Sequence, residues 1–184
     1  MPKESYIQLA TREFKRLKAL ADGAMSQITP EQLFATESDG DNSIAVIVKH
    51  MSGNSLSRWT EFLTSDGEKP NRNRDSEFEI TTGDTREVLM SRWESGWAAL
   101  FSALEPLTDS DLVKEVTIRG EPLSVMQAIN RQLTHYAYHV GQIVYVAKHY
   151  AGNSWRSLSI AKGKSADFNA DPAKYVETEI TTSN

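Results

Sequence analysis

Apolar residues recur at three- and four-residue steps along four long stretches of the chain, and this period predicts four amphipathic α-helices. Each stretch places its hydrophobic side chains on one face and its polar side chains on the other, as helices that share a core do. We expect the helices at about 4–28, 43–63, 84–104 and 123–150. The predicted fold class is therefore all-α, in the form of a four-helix bundle.

The ends of the third and fourth helices carry recognisable capping residues. Ser124 is a suitable N-cap for the fourth helix, and Gln127 stands three residues later, where it completes a capping box. Gly152 follows the last periodic turn, where a left-handed residue is expected. For the third helix the sequence predicts Asp84 as the N-cap and Glu87 as its capping-box partner.

Short segments connect these helices. Thr29 with Gln32 predicts a capped turn, a second capped turn is expected at 108–112, and residues 115–122 alternate like a short hairpin or an extended arm. Beyond the fourth helix, three large apolar residues are expected to dock on the bundle: Trp155, Leu158 and Ile160.

The connection between helices 2 and 3, residues 64–83, is polar and has no helical period. A long connection suits two neighbouring helices that run in the same direction, because the chain must travel the whole length of the bundle between them. Lys69, Arg72 and Arg74 could indicate an anion site, but acidic residues interleave with them. We interpret the segment as a solvated crossover. The predicted domain is 1–171, followed by a polar tail at 172–184.

The charge balance and the absence of cysteine exclude some functions. Acidic residues outnumber basic ones by 25 to 20, for a net charge of −5, so a nucleic-acid or membrane partner is not favoured. Without cysteine, a metal must be held by histidine, carboxylate, water or backbone oxygen, and any reacting thiol must come from a substrate. The N-terminal residues show no signal-peptide pattern, so we expect a cytoplasmic location.

Two histidines of the fourth helix are the clearest chemical feature. His135 and His139 stand four residues apart, one turn from each other on the same face, and both could bind a single metal ion. Tyr136 and Val140 follow them directly, which places the pair at the edge of the apolar stripe. The alternative is a chance pair on a wet surface.

A third histidine lies in the middle of the second helix. His50 stands beside Met51 and, taken alone, is more simply a hydrogen-bonded packing residue. If the second and fourth helices are neighbours, however, His50 meets His135 and His139. Three nitrogens then leave coordination positions open for water or substrate, as catalytic metal sites require. The plainer alternative is that all three are hydrogen-bonded groups at the edge of the core.

The chain also resembles a known family. The segments VKHMSGN and HYAYHVGQI, on four helices with a long second crossover, resemble the DinB/YfiT-like metalloprotein superfamily. More narrowly, SRWTEFLTSDGEKPNRNRDSEFE and WRSLSIAKGKSADFN resemble its DUF1572 branch of bacterial proteins. The resemblance runs from about Ser43 to Asn169 and implies an up-down-down-up bundle, often dimeric, whose three-histidine site falls on His50, His135 and His139. Family members bind divalent ions such as zinc or nickel, and some resemble thiol transferases that use low-molecular-weight thiols.

These observations lead to two hypotheses. In the first, the protein is a metal-dependent enzyme of thiol-transferase or hydrolase type that activates water or a substrate thiol, with Asn54 and Gln142 orienting the reacting group. Arg58 and Tyr138 would hold an acidic small-molecule substrate, although Arg58 could equally be a surface ion-pair partner and Tyr138 a packing residue. In the second, the protein is a non-catalytic, metal-stabilised stress-response or binding module. A homodimer is expected in either case.

Overall fold

The structure is a computed structural model that describes residues 4–170. Within this range the protein is mostly helical, which agrees with the all-α prediction, and the predicted tail at 172–184 lies outside the described residues. The helices are α1 (Tyr6–Met25), α2 (Pro30–Phe34), α3 (Ile44–Trp59), α4 (Arg86–Leu104), α5 (Val125–Ala151) and α6 (Ser165–Ala170). The strands β1 (Glu115–Ile118) and β2 (Glu121–Ser124) form an antiparallel pair. In residues 4–170, no helix combines the length and apolarity needed to cross a membrane.

The four long helices enclose one hydrophobic core. α3 packs along α4, α1 packs along α5, and α3 also contacts α5. Aromatic rings fill the centre: Phe14 of α1 meets the edges of Trp59 and Tyr136, with ring centroids 5.9 Å apart in both pairs. Phe14 is fully buried. Because α3 and α5 are neighbours, side chains at mid-length on the two helices can meet.

Most of the predicted helix ends are confirmed. Ser124 and Gln127 form the expected capping box, Thr29 and Gln32 form another, and Gly152 has a φ of 53°. The second helix ends earlier than predicted, at Trp59, because the backbone is extended at the next residue.

The predicted N-cap of the third helix is wrong by one residue. The hydroxyl of Thr85 accepts the backbone N–H of Val88, whereas Asp84 is buried and accepts a 2.8 Å hydrogen bond from Lys49 of α3. Burial would raise the pKa of Asp84, but the hydrogen bonds from Lys49 and Thr81 outweigh it and lower that pKa to about 2. Asp84 therefore fastens the end of the crossover to α3 instead of capping α4.

The predicted hairpin at 115–122 is confirmed and contacts the crossover. Arg119 and Gly120, at the turn, both have positive φ, as a two-residue hairpin turn requires. The Asp66 carboxylate accepts the backbone N–H groups of both turn residues, each at 2.8 Å. The start of the crossover is thereby tied to the hairpin, just as its end is tied to α3.

The segment after α5 only partly follows the prediction. Trp155 and Leu158 pack against the core as expected, but Ile160 is 39% exposed and does not dock. The short helix α6 follows and was not predicted, since its six residues carry too little periodicity to identify.

Two helical glycines give a matched test of this packing. A Cβ at Gly96 of α4 would lie 3.2 Å from the Cβ of Ser55 and 3.3 Å from the Cα of Ser52 on α3, whereas at Gly141 of α5 nothing lies within 4 Å. Gly141→Ala should therefore raise the free energy of unfolding by about 0.5–1 kcal/mol, through helix propensity alone. Gly96→Ala should lower it by about 1 kcal/mol, because overpacking outweighs the same propensity gain. Denaturant unfolding measures both, and a stabilised Gly96→Ala would contradict the close approach of α3 and α4.

Candidate metal centre

Three histidine rings converge where α3 meets α5. The Nε2 atom of His135 lies 3.4 Å from Nε2 of His50 and 3.1 Å from Nε2 of His139. One nitrogen from each ring falls within 4.8 Å of the others. His50 is buried, and the other two rings are half-buried at the edge of the core. The predicted meeting of the second and fourth helices at these residues is confirmed.

The local sequence explains why these rings face one another. Tyr136 and Val140 are buried, so the residue before each one lies at the border of the apolar stripe of α5. His50 faces the same point from α3, on the side opposite to α5. It is buried because most residues of α3 are buried. A helix with a narrower buried face would turn His50 towards water.

His50 is held from behind by a residue of the crossover. Its Nδ1 lies 2.9 Å from Oε2 of Glu77, in a short 3-10 helix at Asp75–Phe78. Arg72 in turn donates from Nε to Oε1 of Glu77 at 2.8 Å and from Nη2 to Oε2 at 2.9 Å. Burial acts to raise the pKa of Glu77, but the hydrogen bonds from His50 and Arg72 more than offset it and hold that pKa below its ordinary value.

This arrangement fixes the tautomer of His50. An ionised Glu77 has no proton to give, so Nδ1 of His50 must be the donor in their hydrogen bond. In the neutral ring the lone pair then belongs to Nε2, the atom that faces His135. His50 thus presents a metal-binding nitrogen towards the other two histidines.

The two histidines of α5 are kept uncharged by their surroundings. Burial, followed by the charges of His139 and His50, lowers the pKa of His135 to about 3. Burial also lowers the pKa of His139, against the opposing hydrogen bond with Gln142. Neutral imidazoles are the form that binds a metal. The donor set therefore fits a divalent ion of the kind that prefers nitrogen ligands, such as zinc or nickel.

Gln142 and Tyr138, both suggested by the sequence, lie beside the cluster. Oε1 of Gln142 is 2.8 Å from Nδ1 of His139, and its amide nitrogen donates to the Tyr138 hydroxyl at 3.3 Å. The Tyr138 ring stands 5.1 Å from that of His139 and is largely exposed. Gln142 can therefore orient His139, whereas its contact with the reacting group stays a prediction. Tyr138 forms part of the exposed rim of the cluster rather than the core.

Asn54 and Arg58 occupy other surroundings. Asn54 is buried, and its Oδ1 accepts a 2.7 Å hydrogen bond from Gln132. Arg58 is also buried, not on the surface, and donates to the carbonyl of Gly67 and to Glu68. Direct contact of either residue with a substrate stays a prediction. In the structure Asn54 joins α3 to α5, and Arg58 joins α3 to the crossover.

The sequence pattern of the crossover did not identify Arg72 and Glu77 as the residues that hold His50. The polar composition of residues 64–83 predicts a solvated segment, yet the side chains of Arg72 and Glu77 are only 5% and 8% exposed. Alternating charges look the same in the sequence whether they meet water or one another, so no spacing marked this pair. A buried histidine on the preceding helix, which needs an acceptor for its second nitrogen, was the available signal. His149, by contrast, is exposed and pairs with Glu37.

The lowered pKa of His135 makes the stability of the metal-free protein depend on pH. The unfolded chain has the ordinary value of 6.5 and the folded protein about 3, so between these values the unfolded state binds more protons. The free energy of unfolding should fall as pH drops through this window, by at most about 1.4 kcal/mol per pH unit from this group, and should be insensitive to it above the window.

Denaturant unfolding at about pH 7 and about pH 5 measures this effect. His135→Gln should lose less stability between the two conditions than the unmodified protein does. An equal loss would show that His135 is not held neutral by its surroundings.

Comparison with known proteins identifies one family. A family model described as Protein of unknown function (DUF1572) matches residues 2–164. Neither a curated protein nor a solved structure matches the chain. Since the match spans most of the sequence and includes all three converging histidines, the chain belongs to the DUF1572 family.

Proposed function

We propose that the protein is a metal-dependent enzyme of the DinB/YfiT-like superfamily, in which His50, His135 and His139 hold a divalent ion, zinc or nickel. The observation that carries the proposal is the convergence of three imidazole rings from two helices. The packing of α3 with α4 and with α5, and the long crossover before α4, support an up-down-down-up four-helix bundle as its scaffold.

The number of protein donors favours catalysis over a purely structural ion. Among residues 4–170, the cluster that could hold a metal contains three side chains and no fourth histidine or carboxylate. Structural zinc sites are usually closed by four protein ligands, whereas catalytic sites keep a position for water or substrate. A divalent ion bound here would supply Lewis acidity and lower the pKa of a coordinated water or thiol.

The chain's own residues would define the rest of the site. Gln142 holds His139 through Nδ1 and leaves its Nε2 facing His135. Tyr138, whose hydroxyl accepts from Gln142, presents its exposed ring beside the ring of His139. A small substrate would contact Tyr138 first. Because the chain has no cysteine, the thiol in a thiol transfer would come from a small-molecule co-substrate.

A second candidate is the non-catalytic, metal-stabilised module. It is favoured by the origin of the donors, since an ion shared by α3 and α5 would cross-link two helices that are distant in sequence. A homodimer and a cytoplasmic location remain expectations for both candidates.

Metal binding is tested by elemental analysis of the purified protein with single and combined substitutions. The unmodified protein should bind about one zinc or nickel ion per chain, and the triple His→Ala variant of the cluster should retain almost none. His149→Ala removes an exposed histidine outside the cluster and serves as the matched control. Unchanged occupancy in the triple variant would rule out the site.

Turnover separates the enzyme from the module. The metal-loaded protein should accelerate either thiol addition to an electrophile or hydrolysis of an ester or amide by at least about tenfold over the triple variant. Tyr138→Phe should keep the metal and raise KM more than it lowers kcat if the phenol contacts substrate. No turnover of any of these substrates, together with a large fall in melting temperature on metal removal, would instead favour the module.

A further inference from the structure

We infer that Glu77 and Arg72 of the crossover are positioning residues for His50, which hold its ring so that Nε2 faces the centre of the cluster. The consequence for metal affinity rests on the proposed function; the consequence for the ring itself does not. The inference concerns residues other than the three proposed metal ligands, because neither Glu77 nor Arg72 is part of the histidine cluster.

The contacts fix the ring in two ways. Glu77 binds Nδ1 on one side of His50, and the ring of Phe78 lies against it with centroids 4.9 Å apart. Arg72 binds both oxygens of Glu77, so the carboxylate cannot rotate without breaking a two-point ion pair. The same guanidinium donates to Glu68 at 3.1 Å, which anchors it within the crossover.

The surface of α3 is shaped to admit this carboxylate. Gly53 lies three residues after His50, and a Cβ added there would collide with the carboxylate of Glu77. Any larger residue at this position would push Glu77 away from the helix. The close approach of Glu77 to His50 therefore depends on the lack of a side chain at Gly53 as well as on the ion pair with Arg72.

A carboxylate on the second nitrogen of a metal-binding histidine orients the ring and makes it a stronger ligand. Glu77 is suited to this role, since it is buried and is held in place by Arg72. Loss of such a partner typically weakens metal binding by about 10- to 100-fold without removing a ligand. The crossover would thereby increase the affinity of the site for the metal without supplying a ligand to it.

The first measurement is zinc affinity, by competition with a chromophoric chelator. Glu77→Gln should bind zinc about 10- to 100-fold more weakly than the unmodified protein. Glu79→Gln makes the same change two residues away on an exposed side chain and should stay within about twofold. A purely structural role for Glu77 would lower the melting temperature while leaving zinc affinity equal, and this result would overturn the inference.

The second measurement reads the ring of His50 directly, by ¹⁵N NMR of the metal-free protein at about pH 8, where imidazole is ordinarily neutral. The unmodified protein should carry the His50 proton on Nδ1. Glu77→Met, whose thioether is only a weak acceptor, should redistribute it towards Nε2. Gly53→Ala should act in the same direction with Glu77 still present, which decides the question if Glu77→Met fails to fold.

The two measurements distinguish failure of the inference from failure of the proposed function. If the unmodified protein binds zinc no better than the triple histidine variant, the proposed metal site is wrong, and the NMR result alone decides the role of Glu77. An Nε2-protonated His50 in the unmodified protein, or a tautomer that is the same in all variants, would overturn the inference regardless of metal binding.

Discussion

Three imidazole rings can share so small a space only if neighbouring rings are not protonated together. Their nearest nitrogens lie 3.1 and 3.4 Å apart, so protonation of two neighbouring rings would place like charges in contact at the edge of a hydrophobic core. The helices α3 and α5 meet this constraint by burial, which disfavours the charged form of His135 and His139. The arrangement thus keeps lone pairs available, as the proposed divalent cation would require.

The crossover has a larger part in this centre than its composition suggests. Asp66 ties its beginning to the hairpin, and Asp84 ties its end to α3. Between these points Arg72 and Glu77 form a buried ion pair against His50. Removing one member of such a pair is costly because the other is left buried and uncompensated. Folding of the crossover and orientation of His50 are consequently linked through the same carboxylate.

Much of the scaffold could be predicted from the sequence because its signals are local. The capping box at Ser124 and Gln127 and the glycine after α5 are set by neighbouring residues, and the hairpin predicted at 115–122 follows from alternation and a turn. The histidine cluster could also be predicted from the sequence, since two of its members share one helix face. The sequence prediction was wrong or incomplete where the role of a residue depends on a partner that is distant in the sequence. Asp84 is a good N-cap in isolation, but Lys49 recruits it elsewhere. Likewise, nothing near Glu77 in the sequence shows that it meets His50.

The most direct test of the account is the position of zinc in a crystal of the loaded protein, located by anomalous scattering at the zinc edge. We expect a peak about 2.0–2.1 Å from one nitrogen of each of His50, His135 and His139. A zinc ion found elsewhere, or bound by fewer than all three of these rings, would contradict it.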